Sequence, residues 1–252
     1  KRLNYIKAAL ENMPTGWLNL TTHRLDIYDE KLAKTQFLEQ FEHLFNKNNF
    51  KASALSELPT AFDYIRLGHP LSCILEWTIA KSYNLHAEHV ISFSSKTVPA
   101  LAILRKNLLE NKNTQIIYTG QLPNSFDAKI LRSIYGYRFE LIQIENTSEI
   151  TEFEGSTIFI SQQDDLCNFD LTPNVDFFIN FNSDLGSMLI VNGKQNESYI
   201  SDIQHVRRRE TIAMTPANSL AALNLLLEQY TPSDIEKNNL DQNKAQVLKS
   251  IN

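Results

Sequence analysis

Apolar residues recur along the chain with two periods. Leu32, Phe37, Phe41 and Leu44 fall at helical spacing and predict a helix over residues 29–45. Residues 3–12 predict a shorter amphipathic helix, broken by Pro14 and Gly16, with a short extended piece at 17–20. Residues 46–70 show no clear period and close on Arg66-Leu67-Gly68-His69-Pro70. Ser72 then reads as the cap of a helix with Glu76 near its start, running to about Tyr83. From there strands and helices alternate. Strands are predicted at 90–93, 115–118, 139–144, 157–161, 175–179 and 188–191. Helices are predicted at 98–109, with apolar residues at 101, 104 and 108, at 124–135 with Gly136 as its stop, at 199–209 and at 215–230. A turn at 231–235 and a further helix over 236–251 close the chain. Such alternation predicts an α/β fold, a three-layer α/β/α domain with a mostly parallel sheet.

Composition narrows the class. The chain has 252 residues, enough for one large domain or one and a half, and 42% are hydrophobic against 21% charged, as in soluble globular proteins. A net charge of −5 and a pI near 5.7 argue against a nucleic-acid partner, because phosphate binding wants a basic face. No apolar run approaches the ~18 residues of a membrane span. Cys73 and Cys167 both sit in apolar contexts and read as buried free thiols. The chain starts at Lys1 without a methionine or a signal-type apolar region, so a cytoplasmic protein trimmed at both ends is expected. Only 7 glycines are present, which disfavours a glycine-rich phosphate loop.

Short motifs carry little chemistry. His86 and His89 lie three apart, but no third His or Cys follows at a useful spacing, and a polar helix-to-strand turn is the expected role. Arg207-Arg208-Arg209 reads as a solvated helix end, with an anion site as the alternative. Asp164-Asp165 reads as a surface pair rather than an acid dyad. The dinucleotide, Walker and nucleophile-elbow motifs are absent from the sequence.

Six longer stretches say more. They are GWLNLTTHRLDIYD (16–29), RLGHPLSCILEWTIAKSYNLHAEHVI (66–91), SFSSKTVPALAILRKNLL (92–109), IIYTGQLPNSFDAKILRSIYGYRFELIQI (116–144), VDFFINFNSDLG (175–186) and HVRRRETIAMTPANSLAALNLLLEQY (205–230). In this order they cover about half of the chain. They resemble segments of the fold-type-I pyridoxal-phosphate (PLP) enzymes, and are most similar to class I/II aminotransferases of the histidinol-phosphate aminotransferase and threonine-phosphate decarboxylase kind. The resemblance implies a PLP-transferase large domain over residues 56–230, an N-terminal helical arm over 1–55, and at 231–252 a C-terminal helix or the remnant of a small domain that is reduced or absent.

The resemblance also implies a cofactor site, and the matched positions depart from it. The anchoring lysine of "S-F-S-K-x-F-G" falls on Ser183, beside Asn182, and a serine cannot form an imine. The Gly-Ser turn that cradles the phosphate falls on Lys96-Thr97, where Thr97 keeps a hydroxyl and Lys96 offers a cation. The ring-stacking aromatic falls on Ser125, and the neighbouring subunit's tyrosine on Leu67. The segment between Ile144 and Val175 has room for one strand–loop element, not the usual two, and the aspartate place falls near Ser161. Lys194 lies past the next strand, and the loop arginine after Gly186 has no match.

Three readings follow. The first is an aminotransferase-like protein that is catalytically silent, holds no cofactor, and acts as a homodimer or with another protein partner. The second is an active PLP-dependent aminotransferase or amino-acid decarboxylase using Lys96 or Lys194. The third is a binder of a small anionic ligand in the vacated pocket, with Thr97, Asn182 and Ser183 as polar contacts and Lys96 as the cation.

Overall fold

Strands that are apolar on both faces need cover on both sides, and that demand sets the architecture. The structure, a computed structural model, describes residues 1–19, 30–59 and 65–229, with the backbone alone for 30–33 and 229. The predicted turn at 231–235, the helix at 236–251 and residues 20–29 of the first family-like stretch lie outside the described residues.

The described helices are α1 (Arg2–Glu11), α2 (Glu30–Asn46), α3 (Ala52–Ser56), α4 (Pro70–Ser82), α5 (Val98–Leu109), α6 (Ala128–Ser133), α7 (Ser198–Glu210) and α8 (Pro216–Gln229). The strands are β1 (Val90–Phe93), β2 (Thr114–Thr119), β3 (Glu140–Gln143), β4 (Ser156–Gln162), β5 (Phe177–Asn182) and β6 (Gly186–Val191). They form one sheet in the order β1-β6-β5-β4-β2-β3. Only β6 runs against its two neighbours; the other pairings are parallel. The expected α/β class and largely parallel sheet are therefore present. A single strand, β4, forms between Ile144 and Val175, as the length of that segment allows.

Side chains alternate between the two layers, as strand geometry requires. Ile91, Ile116, Ile158, Ile160, Phe177 and Ile179 pack with residues of α5, α6 and α7. Val90, Ile117, Phe159, Phe178, Met188 and Ile190 pack with residues of α1, α2, α4 and α8. Aromatic rings join the second layer: Phe41 meets Trp77 edge-on at 5.6 Å, and Tyr5 meets Phe41 at 5.8 Å. Both cysteines are buried free thiols.

Several local expectations need correction. Residues 15–18 form a 3₁₀ turn that buries Trp17, not an extended piece. The stretch read as irregular contains α3, whose Leu55 is fully buried. The cap of α4 is His69, with Ser72 reciprocating three residues in, and Pro70 takes the first helical position, where its missing N–H costs nothing. α6 is half as long as expected, because Asp127 caps it by accepting from the amides of Lys129 and Ile130.

The largest correction concerns Arg207, which is 5% exposed rather than solvated. It meets Glu76, itself 1% exposed, across the core. Glu76 Oε1 accepts from the Ser92 amide (2.8 Å), the Ser92 hydroxyl (2.7 Å) and Arg207 Nη1 (3.1 Å), while Oε2 pairs with Lys34 Nζ at 2.5 Å. Arg207 also donates to the carbonyls of Ser92 (3.1 Å) and Leu67 (2.9 Å), and Lys34 to those of Ala87 (2.7 Å) and Val90 (3.2 Å). One carboxylate thus ties together α2, α4, β1, α7 and the turn before α4.

Burial opposes the charge on Glu76, but Lys34, Arg207 and the Ser92 amide outweigh it and hold the carboxyl below its ordinary 4.5. Burial likewise pushes His69 down to about 4, against the pull of the Met214 carbonyl, which its Nε2 meets at 2.7 Å. Both groups bind protons more readily unfolded than folded, so both favour folding at neutral pH. The His69 contribution declines as pH falls from 6.5 towards 4, and that of Glu76 is lost as pH falls below 4.5. Replacing Glu76 with Gln strands the buried Arg207 and the part-buried Lys34 and is expected to cost about 3–5 kcal/mol. Urea unfolding at pH 7 checks the loss. The gap between wild type and Glu76→Gln narrows on acidification through pH 4.5.

Candidate functional site

The strand order reverses between β2 and β4. The chain steps from β2 outward to β3, then crosses back to β4 and on to β5. In open α/β sheets the crevice beyond the carboxyl ends of the strands, at such a reversal, is the usual ligand site. Two features stand at this end of the sheet: a tight turn and a cavity.

The turn joins β5 to β6. Asn182 pairs directly with Gly186, so Ser183, Asp184 and Leu185 are the whole connection. Asn182 Oδ1 accepts from the amides of Asp184 (2.9 Å) and Leu185 (3.2 Å), which makes the turn self-closing. Its Nδ2 reaches the carbonyls of Gln163 (3.4 Å) and Asp164 (3.3 Å). Lys96 Nζ donates to the Ser183 carbonyl at 2.7 Å, and Asn218 Nδ2 to those of Asp184 (3.3 Å) and Leu185 (3.0 Å). Gly186 has φ +123°, and a Cβ there would stand 2.3 Å from the Phe93 carbonyl oxygen. Glycine is required because β6 starts hard against the end of β1.

The first turn of α5 faces the same end. Its amides are mostly engaged. Ser95 Oγ accepts from Thr97 N (3.3 Å) and Val98 N (3.2 Å), Pro99 has no N–H, and Leu101 N donates to the Thr97 carbonyl (3.1 Å). Ala100 alone keeps a first-turn amide outside these bonds, and that residue is 1% exposed. An anion would find little of the usual helix-end donor set here.

The cavity has a volume of about 290 Å³ and opens beyond the ends of β2, β4 and β5. Thr119, Ser161 and Asn180 contribute from the strands, and Phe159, Phe169 and Phe178 supply apolar wall. Thr119 Oγ1 donates to Ser161 Oγ at 3.2 Å, and Gln163 Nε2 donates to the same oxygen at 2.6 Å. Asn180 Nδ2 donates to the Asn168 carbonyl at 2.6 Å, and Thr147 Oγ1 to Asp170 Oδ2 at 2.6 Å. Glu145 and Asp170 complete the lining with carboxylates; its described residues include no Lys, Arg or His. A second cavity of about 260 Å³ lies by α2 and α4, where Lys34 is committed to Glu76 and Lys81 to Glu42 at 2.6 Å.

The structure gathers some of the residues singled out in the sequence and separates others. Lys96, Asn182 and Ser183 meet at the turn, with Thr97 next to them at the cap of α5. Ser161 lines the cavity. Leu67 serves through its carbonyl, as an acceptor for Arg207. Ser125 is exposed in the turn after β2, and the neighbouring Phe126 packs on Phe139 in the opposite layer. Lys194 follows β6, which runs away from the turn over six residues, so it stands about 20 Å off at the other end of the sheet. His89 is buried, with Nδ1 2.9 Å from the Val191 carbonyl, and among the described residues no group of three or more His, Cys, Asp or Glu could hold a metal. Asp165 caps a turn by accepting from Cys167 N at 2.8 Å. Sequence reasoning missed Thr119, Gln163 and Asn180. The available signal was an asparagine inside the apolar run FFINF and a threonine closing IIYT.

No protein-family model matches the sequence, and no curated protein sequence matches it. Among solved structures, yeast cystathionine gamma-lyase is 11% identical, with a TM-score of 0.49 over 88% of this chain and 62% of its own. MetB of Corynebacterium glutamicum is 13% identical, with a TM-score of 0.40 over 68% of this chain and 54% of its own. MetY of Campylobacter jejuni, solved with a pyridoxyl-lysine monophosphate, is 12% identical, with a TM-score of 0.41 over 85% of this chain and 65% of its own. The chain therefore spans between 54% and 65% of the length of these three proteins. Among the described residues no helix is long and apolar enough to cross a membrane.

Asn182 is the residue on which the turn depends. Asn182→Ala removes two accepted and two donated hydrogen bonds and is expected to cost about 1–2 kcal/mol. Hydrogen exchange at the Asp184 and Leu185 amides checks it: both should exchange faster in the variant, while the amides of β4 keep their protection.

Proposed function

We propose that this protein is a non-catalytic relative of the fold-type-I PLP enzymes that acts by association, with a second copy of itself or with another protein. The observation that carries the reading is the β5–β6 turn. The resemblance places the imine-forming lysine at Ser183, and the connection there is three residues long, self-closed by Asn182 and staked by Lys96 and Asn218. A loop that presents an amine to a cofactor has no length in which to form.

The surroundings support the same reading. The amides that would cradle a phosphate are mostly engaged at the start of α5, and the cavity beside the turn carries carboxylates where an anionic cofactor would want cations. The residues present do not fit PLP. Of the lysines weighed for an active enzyme, Lys96 is committed to the Ser183 carbonyl and Lys194 lies at the far end of the sheet. The anion-binding reading is weakened at Asn182, whose amide is engaged in the turn, while Lys96 gives one of its three N–H donors to the Ser183 carbonyl. The association half of the proposal rests on the resemblance, since fold-type-I enzymes are dimers with sites at the interface.

Two measurements test this. Purified protein incubated with PLP and then reduced with borohydride is expected to show no imine absorbance band and no pyridoxylated lysine in a peptide map; selective labelling of Lys96 would overturn the reading. Sedimentation velocity is expected to show a dimer, and a monomer at every loading concentration would remove self-association and leave a different protein as the partner.

A further inference from the structure

We propose that the cavity beyond β2, β4 and β5 is a binding site for a small amino alcohol, an organic ammonium compound that carries a hydroxyl. The inference rests on the previous reading only in requiring that PLP does not fill this space.

Charge is the first argument. Glu145 and Asp170 line the cavity, and neither forms an ion pair with a described residue. With no Lys, Arg or His in the described lining, an anion entering the cavity would meet only carboxylates, whereas an ammonium would meet two. Phenylalanine is the second argument. Phe159, Phe169 and Phe178 line the same space, and aromatic rings beside carboxylates are the usual surroundings of a bound organic cation.

Unspent hydrogen-bonding capacity is the third. Asn180 is 2% exposed, its Nδ2 is used on Asn168, and its Oδ1 receives no hydrogen bond from the described residues. Without a donor from the described residues, this oxygen can accept from a ligand N–H or O–H. Thr119 and Ser161 share one hydrogen bond between two hydroxyls, and Gln163 donates into Ser161. One hydroxyl proton of the pair is left over and can be given to a ligand oxygen. The cavity thus presents an acceptor and two carboxylates for an ammonium, and a donor for a hydroxyl. Its volume of about 290 Å³ suits a small compound.

The test uses the full chain and four probes: ethanolamine, choline, the neutral choline isostere 3,3-dimethylbutan-1-ol, and inorganic phosphate. Binding is read by thermal shift and by saturable amide chemical-shift changes at Thr119, Ser161 and Asn180. Ethanolamine or choline is expected to bind saturably and to raise the melting temperature, with no response to the isostere or to phosphate. The exposed double variant Glu145→Gln, Asp170→Asn should fold normally and bind roughly three- to tenfold more weakly. Ser161→Ala should weaken binding of ethanolamine as well, by removing the hydroxyl whose proton is left over. Failure of both ammonium probes to bind, equal binding of the isostere, or preferential binding of phosphate would each overturn the proposal. A pyridoxylated lysine in the reduction experiment would overturn this inference together with the reading it rests on. Absent ammonium binding in a protein that also fails to form an imine would overturn this inference alone.

Discussion

The structure depends on a carboxylate that cannot reach water. Glu76 projects from α4 into the layer between helix and sheet, where an ionised group survives only with full compensation. The compensation comes from far along the chain: Lys34 from α2, Ser92 from β1, and Arg207 from α7, 131 residues away. Two cations against one carboxylate leave an excess positive charge, and the surplus is spread over four main-chain carbonyls and Lys34's partial exposure to solvent. Exchange of such a cluster for apolar side chains is often neutral in stability. What the cluster supplies is position, since each partner bonds in one direction only.

That position propagates to the carboxyl end of the sheet, where the β5–β6 turn lies. Arg207 holds the carbonyls of Ser92 and Leu67, so β1 and the turn before α4 are fixed against α7. Ser94 then accepts its place by donating its amide to the Ile212 carbonyl at 3.2 Å, and one residue on Ser95 Oγ accepts from the amides of Thr97 and Val98 where α5 begins. With β1 set, the start of β6 has no freedom either, because Gly186 lies against the Phe93 carbonyl. The short β5–β6 turn follows from the same chain of contacts that begins at Glu76.

The periodic part of this architecture was legible in the sequence. Strands such as VISF and GSMLIV are mostly apolar because they are buried on both faces, and 98–109 reads as a helix from its spacing alone. Local polar chemistry was less legible. Asp127 shortens α6 by capping it three residues inside the predicted span, and a helical pattern cannot show which of several polar residues will cap. Arg207 was misread because three adjacent arginines on a polar helix look solvated, and its buried partner is a lone Glu in an apolar helix 131 residues earlier. Ser161 was found through the resemblance, whereas Thr119 and Asn180 acquire meaning only when strand order places β2, β4 and β5 side by side.

The turn and the cavity constrain one another. A long β5–β6 loop would have to lie over the end of β4, where Asn182 now bonds to the carbonyls of Gln163 and Asp164. With the loop short, Gln163 is held at the mouth of the cavity and its amide turns onto Ser161. The hydroxyls, the buried asparagine and the two carboxylates therefore line a space that, among the described residues, no Lys, Arg or His lines. An anionic cofactor needs the opposite polarity at the same strand ends. The short connection and the acidic lining are coupled through one residue: Asn182 holds the Gln163 carbonyl from the turn, and Gln163 in turn donates to Ser161 in the cavity wall.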